Sequence, residues 1–255
     1  MLAEERRTRL LEMIRTRRFA SLPELLDGLG VSESTVRRDL EYLEEQGVTK
    51  RIHGGVLYAG GSPKLPHFDL RQPAQWGLKR AIASRAVSLV DDGDAIILDG
   101  GSTTYEVARL LVGRPLHVVT NSLPVANLLA SDANSDLVLI GGEICPRTGV
   151  ARGPYADRML ADVRVRKTIL STAAVSEEGF FNNNRLLVET ERAMMRAAGE
   201  VIVLADSTKF GHESLGHVCA LGAVRHLVVD DRISQEWREK VQAAGVNLLV
   251  AEVTE

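Results

Sequence analysis

Residues 99–104 read Asp-Gly-Gly-Ser-Thr-Thr and run into a helical stretch at 105–111. This combination suits an anion. Two glycines let a ligand approach the backbone, amides at a helix N-terminus point outward, and three hydroxyls add donors. The run is neither G-x-x-x-x-G-K-[ST] nor G-x-G-x-x-G, so it lacks the spacing of a nucleotide loop. Three more polar clusters follow short apolar runs: Asn121-Ser122, Gly141-Gly142-Glu143 and Asp206-Ser207-Thr208-Lys209. Gly101, Ser102, Thr103 and Thr104 would take a phosphate, with Lys209 as a nearby cation, while Asp99, Asn121 and Asp206 could hold sugar hydroxyls. Singly, each cluster also reads as an ordinary helix start or an exposed loop. Together they favour a small polyhydroxylated anion.

A second group of residues points to different chemistry. Ser34, Thr35, Arg37 and Arg38 fall in one helical stretch, followed by Lys50, Arg51 and His53. Arginine suits guanine edges and phosphates, and serine or threonine suits either. At ~100° per residue, Val36, Leu40 and Leu43 fall on one arc of that helix, and Ser34, Arg37, Arg38 and Glu41 on the opposite one. Asp39 lies nearer the apolar arc and reads as an ion-pair partner. A helical domain that binds protein would show the same spacing.

Metal chemistry finds little support. Cys145 and Cys219 are far apart and in no C-x-x-C pattern, and His212 and His217 lack the H-E-x-x-H spacing that places two ligands on one helical face. Neither a metal nor another cofactor is expected.

The elements that position these residues are legible. A first helix spans about 4–17, with Leu10, Leu11 and Ile14 as its apolar stripe. Ser21-Leu22-Pro23-Glu24 reads as a capped helix start, and Leu22, Leu25, Leu26 and Leu29 follow at i, i+3, i+4 and i+7. Gly30 ends that helix, and Ser32 caps a third reaching about Gln46. Two short helices joined through a glycine form a helix-turn-helix candidate. The segments 48–52 and 56–58, joined through His53-Gly54-Gly55, read as a hairpin wing. Residues 59–74 hold two glycines and three prolines and read as a linker. Beyond it, a helix at 75–90 precedes seven apolar runs, at 95–99, 116–120, 137–141, 167–171, 201–205, 226–230 and 246–251, separated by helical stretches. Short unbroken Val/Ile/Leu runs between helices predict a mainly parallel sheet covered on both faces. Ligands of such sheets bind at the strands' carboxyl ends, where the polar clusters fall.

The totals agree with this plan. The 255 residues are 45% hydrophobic and 25% charged, ordinary globular proportions. A 4% aromatic content argues against stacking on single-stranded nucleic acid. The net charge of -3 is unevenly spread, since residues 1–58 carry ten Lys/Arg against ten Asp/Glu. The charged N-terminus has no signal-peptide core and no apolar run approaches a membrane span, so a cytoplasmic protein with no membrane partner is expected.

Residues 5–58, above all VSESTVRRDLEYLEEQGVTKRIHGG, resemble the N-terminal domain of the DeoR family of bacterial transcriptional regulators. KRAIA (79–83), LDGGSTT (98–104), VVTNSLPVA (118–126), IGGE (140–143), ARGPYA (151–156) and ADSTKFG (205–211) resemble the family's sensor domain. The resemblance implies an α/β protein. A winged helix-turn-helix domain (3–58, its helix-turn-helix at about 20–39) would be joined to a mainly parallel, doubly wound sensor domain (75–255) related to the ribose-5-phosphate isomerase fold. It further implies a repressor of a carbohydrate-metabolism operon, binding a double-stranded DNA operator as a homo-dimer or homo-tetramer and responding to a phosphorylated sugar. Effector contacts carried over are Asp99, Ser102, Thr103, Thr104, Asn121, Gly141, Gly142 and Lys209, with Glu189 matching a family glutamate. The chain departs from the pattern at 171–175, where the family is glycine-rich, and at Glu191, where it often has lysine. An isomerase with a DNA-binding appendage is the alternative, but a D-G-A-D-E-like carboxylate pair and a lysine-glycine run are missing; Glu177 and Glu178 lie on an apparent turn.

Overall fold

The computed structural model describes residues 3–17, 19–45, 48–52, 55–58 and 68–253, and the chain divides into two units at Pro66–His67. The first contains α1 (Ala3–Arg17), β1 (Phe19–Ser21), α2 (Leu22–Leu29), α3 (Glu33–Glu45), β2 (Thr49–Ile52) and β3 (Gly55–Tyr58). Of the apolar set read from the spacing, Leu10, Ile14, Leu25, Leu29, Val36, Leu40 and Leu43 are buried in its core, while Leu11, Leu22 and Leu26 pack against it half-buried. The Glu24 carboxylate accepts from the Ser21 amide (2.8 Å) and hydroxyl (2.7 Å), and these bonds hold its carboxyl below the usual range. Gly30 adopts φ 64°, ψ 32°, and its amide donates to the Leu26 carbonyl at 2.9 Å. That left-handed turn redirects the chain into α3.

The wing is an antiparallel pair in which Thr49 faces Tyr58 and Ile52 faces Gly55. A third strand, not anticipated, completes the sheet in the order β1-β3-β2. Three residues are too few to display a period, so Phe19–Ser21 carries no sequence signal as a strand. Gly55 makes room for it, because a Cβ there would lie 2.5 Å from the Ala20 carbonyl oxygen.

In the second unit the seven apolar runs form β4 (Ala95–Leu98), β5 (His117–Thr120), β6 (Asp136–Leu139), β9 (Val165–Ser171), β12 (Ala198–Ala205), β14 (His226–Asp230) and β15 (Asn247–Ala251). They make one sheet, ordered β15-β14-β12-β9-β4-β5-β6, with every neighbouring pair parallel. The fold class is therefore α/β, as expected. Helices α5 (Trp76–Val87), α6 (Ser102–Leu111) and α7 (Leu123–Leu129) contribute to one core cluster. Helices α8 (Pro154–Ala161), α9 (Arg185–Ala197) and α10 (Gln235–Ala243) contribute to the other.

Smaller elements escape the sequence reading. A hairpin pairs β7 (Glu143–Cys145) with β8 (Val150–Arg152), and an antiparallel sheet joins β10 (Ala174–Ser176), β11 (Gly179–Asn182) and β13 (Gly216–Cys219). Glu177 and Glu178 form the turn between β10 and β11. Within the stretch read as linker, Phe68–Arg71 is a short helix, α4, while 59–67 lie outside the described residues. Tertiary contact explains α4: the Phe68 amide donates to the Arg147 carbonyl (2.8 Å) and its ring meets Tyr105 edge-on at 5.3 Å. No helix among the described residues is long and apolar enough to cross a membrane.

Candidate functional sites: the strand-end crevice and the recognition face

From β4 the chain steps outward to β5 and β6; it then returns to the opposite flank of β4 as β9 and moves outward through β12, β14 and β15. Loops leaving β4 and β9 therefore diverge, which opens a crevice at their carboxyl ends. Asp99 follows β4 and Ser171 ends β9; the Ser171 amide and hydroxyl donate to Asp99 Oδ2 at 3.4 and 3.1 Å. Helix α6 begins at Ser102 with Gly101 as its cap, three residues earlier than the spacing suggests. Ser102, Thr103 and Thr104 are thus its first turn, where amides have no intrahelical acceptor.

The three hydroxyls are not equivalent. Thr104 Oγ1 bonds the Asp99 and Gly101 carbonyls, both at 2.8 Å, and is fully buried. It locks the turn. Among the described residues the Ser102 and Thr103 hydroxyls have no such partner. The glycines are also explained by protein neighbours: a Cβ on Gly101 would fall 1.9 Å from Ser171 Oγ, and one on Gly100 would fall 2.1 Å from Val150 Cγ2.

Several buried polar atoms around the crevice have no hydrogen-bond partner. They are Asp99 Oδ1, Asn121 Oδ1, Glu191 Oε2, Arg152 Nε and both Nε and Nη2 of Arg71. Asn121, at the end of β5, is fixed by its Nδ2 donating to the Ala151 carbonyl at 2.8 Å. Glu191 Oε1 accepts from Asn182 Nδ2 at 2.6 Å. Burial pushes the Asp99 carboxyl up, against the opposing pull of the Gly100 amide, the Ser171 donors and the Arg71 charge. Glu191 is pushed well up by burial and then by Asp99. Burial, with Glu191 second, raises the Cys219 thiol to about 12. Arg71 is held down by burial while Asp99 and Cys145 favour its charge.

Asp99, Gly101, Ser102, Thr103, Thr104 and Asn121 stand together at the adjacent ends of β4 and β5. Lys209 lies beyond β12, on the far side of β9, with Nζ 3.7 Å from Asp206 Oδ2. Gly141 and Gly142 are exposed past the edge strand β6; Gly142, at φ 156°, leaves no room for a side chain, since a Cβ would sit 2.8 Å from the Arg152 carbonyl oxygen. Glu189 is exposed and pairs with Arg192 at 2.9 Å, so it does not reach the crevice. Glu191 does. Its position in the α9 stripe with Leu187, Val188 and Met194 was a usable signal, since an acid on an apolar helical face is buried. Arg71, alone in a proline-containing stretch, offered none.

On the first unit, Ser34, Arg37, Arg38 and Lys50 are exposed and Thr35 is half-buried. Ser32 Oγ, which caps α3, lies 3.0 Å from Ser34 Oγ and 2.8 Å from Thr35 Oγ1. Arg37 pairs with Glu33 at 2.7 Å across an exposed helical turn, an easily displaced contact. Arg38 makes no ion pair with any described residue. Arg51 is engaged: its Nη2 approaches Glu41 Oε1 and donates to the Arg37 carbonyl, both at 3.2 Å, and its amide donates to Glu44 at 2.9 Å. It ties the wing to α3 rather than projecting freely. His53 lies outside the described residues. Asp39 is buried between Arg6 (2.5 Å) and Arg7 (2.9 Å), the ion-pair role its position implied.

Residues 6–60 match the DeoR-like helix-turn-helix domain and residues 75–231 the DeoR C terminal sensor domain. The uncharacterized HTH-type transcriptional regulator YulB of Bacillus subtilis (strain 168) is 32% identical over 231 residues, 90% of each chain. A putative aga operon transcriptional repressor of Escherichia coli O157:H7 is 30% identical over 250 residues, 96% of this chain and 93% of its own. Among solved structures, ribose 5-phosphate isomerase A from Methanocaldococcus jannaschii is similar at TM-score 0.40 and 22% identity, over 53% of this chain and 55% of that one. With a DNA-reading unit and a sensor unit matched in order along one chain, this protein belongs to the DeoR family of transcriptional regulators.

Proposed function

We propose that the protein is a repressor of a carbohydrate-metabolism operon whose hold on its operator is modulated by a phosphorylated sugar. The observation that carries this reading is the character of the crevice. Asp99 Oδ1, Asn121 Oδ1 and Glu191 Oε2 are buried oxygens without hydrogen-bond partners, beside the first-turn amides of α6. Buried polar groups are costly unless paired. Sugar hydroxyls, which both donate and accept, would pair with the three oxygens, and a phosphate would accept from the Ser102 and Thr103 amides and hydroxyls. The E. coli relative, described as a putative operon repressor, supports the sign of regulation.

On this reading Ser34, Thr35, Arg37, Arg38 and Lys50 face the duplex, and the chain works in the cytoplasm as a homo-dimer or homo-tetramer reading paired half-sites. It is a binding protein and not an enzyme. The test is a thermal-shift panel of pentose and hexose phosphates beside the unphosphorylated sugars. A ligand at ~100 times its dissociation constant adds ~2.7 kcal/mol. Stabilisation by a sugar phosphate, its parent sugar being inert and no turnover following, is the expected result. Equal response to the parent sugar would remove the phosphate from the reading, and multiple-turnover conversion would replace regulation with catalysis.

A further inference from the structure

The side chain that the crevice leaves least explained is Arg71. Its guanidinium has Nε and Nη2 both shut off from solvent and without a hydrogen-bond partner. No acid among the described residues lies within ion-pair distance, although Asp99 is near enough to act on its charge. The backbone that carries it is held firmly. Phe68 at the start of α4 is bonded to Arg147 and packed on Tyr105 of α6, and the buried Lys79 ammonium of α5 donates to the Arg71 and Ala74 carbonyls. Arg152, on β8, presents a second buried Nε without a partner, and Cys145 feels the charges of both arginines.

The half-buried guanidinium has the Phe68 ring 5.8 Å away as a partner for its charge, but the two buried donors stay idle, and idle buried donors are costly. A guanidinium fork matches the paired oxygens of a phosphate or carboxylate, and low surrounding polarity strengthens the match. Resting on the reading of the crevice as an effector site, we infer that Arg71 grips the anionic group of the effector, making the short helix α4 one wall of that site. The unit boundary falls at Pro66–His67, just ahead of α4. The residue that takes the effector's charge therefore sits on the stretch that leads from the DNA-reading unit, and filling the site fixes that stretch directly.

The test uses the full chain, with ribose 5-phosphate, fructose 6-phosphate and their parent sugars as probes, plus inorganic phosphate. Arg71→Gln removes the charge and the fork; Arg71→Lys keeps the charge and guards against a variant that fails to fold. For whichever phosphorylated probe binds the wild type, Arg71→Gln is expected to weaken binding at least tenfold and Arg71→Lys by a smaller factor. The wild type should also show slower hydrogen exchange over 68–79 when that probe is added, and Arg71→Gln should not. Unchanged affinity in both variants, with the wild type still responding, would overturn the role of Arg71 while leaving the effector site standing. No response of the wild type to any phosphorylated probe, inorganic phosphate included, would overturn both.

Discussion

Glu191 shows how one buried acid shapes behaviour. Its carboxyl is pushed well above 4.5 by burial and by Asp99, with Asn182 its bonded partner among the described residues and Cys219 alongside. Between 4.5 and its raised folded value the native state holds a proton that the unfolded chain has lost, so stability falls as pH rises through that window. Glu191→Gln removes this slope. The variant should melt above the wild type at pH 7, with the gap closing as pH approaches 4.5; a slope from Asp99, also raised, persists in both. Melting curves from pH 4.5 to 8 check it, and a variant that melts lower at pH 7 would refute it. Asp39→Ala strips Arg6 and Arg7 of their shared partner and should cost about 2 kcal/mol, taking charged hydrogen bonds at roughly 1.5–3. Urea unfolding reads that loss. Arg38→Ala should leave folding untouched and weaken operator binding by about 1–3 kcal/mol, measured by titration at fixed salt.

At the scale of elements, the crevice depends on how closely β8 and β9 press against the turn into α6. Gly100 faces Val150 and Gly101 faces Ser171, with no space for a methyl group at either. Gly100→Ala should therefore destabilise by about 1–3 kcal/mol through overpacking. Val150→Ala in that background should restore part of the loss, so that the double variant is less damaged than the two single losses summed. A double-mutant cycle on melting free energies measures this coupling, and strict additivity would show that the two residues do not compete for space. The loop was readable as glycine plus hydroxyl. That the glycines answer to a valine from a hairpin about fifty residues downstream was not, because no local pattern encodes a long-range contact.

At the scale of the whole molecule, each unit has its own core: Leu10, Ile14, Leu25 and Val36 in one, the two faces of the seven-stranded sheet in the other. A fragment of residues 67–255 should then melt cooperatively and keep the sugar-phosphate response of the full chain while losing operator binding. Calorimetry and DNA titration on that fragment check both. A fragment that aggregates or melts without cooperativity would mean that the second core depends on the first unit.

The amino-acid order alone determined the seven strands, the helix-turn-helix and the polar strand ends, because each follows from short-range periodicity, capping residues and turn chemistry. It also placed Asp39 on the inner side of α3. Tertiary structure decided the rest. It set the order of the sheet, and with it which two strand ends enclose the crevice. It engaged Thr104 and Arg51 within the protein, turned Glu191 inward and Glu189 outward, and brought Arg71 from a stretch without periodicity within reach of the Asp99 charge. The physical reason is distance along the chain: side-chain direction within a helix or strand is a local property, whereas pairing a strand end with a hairpin or a distant arginine is settled only when the chain has folded.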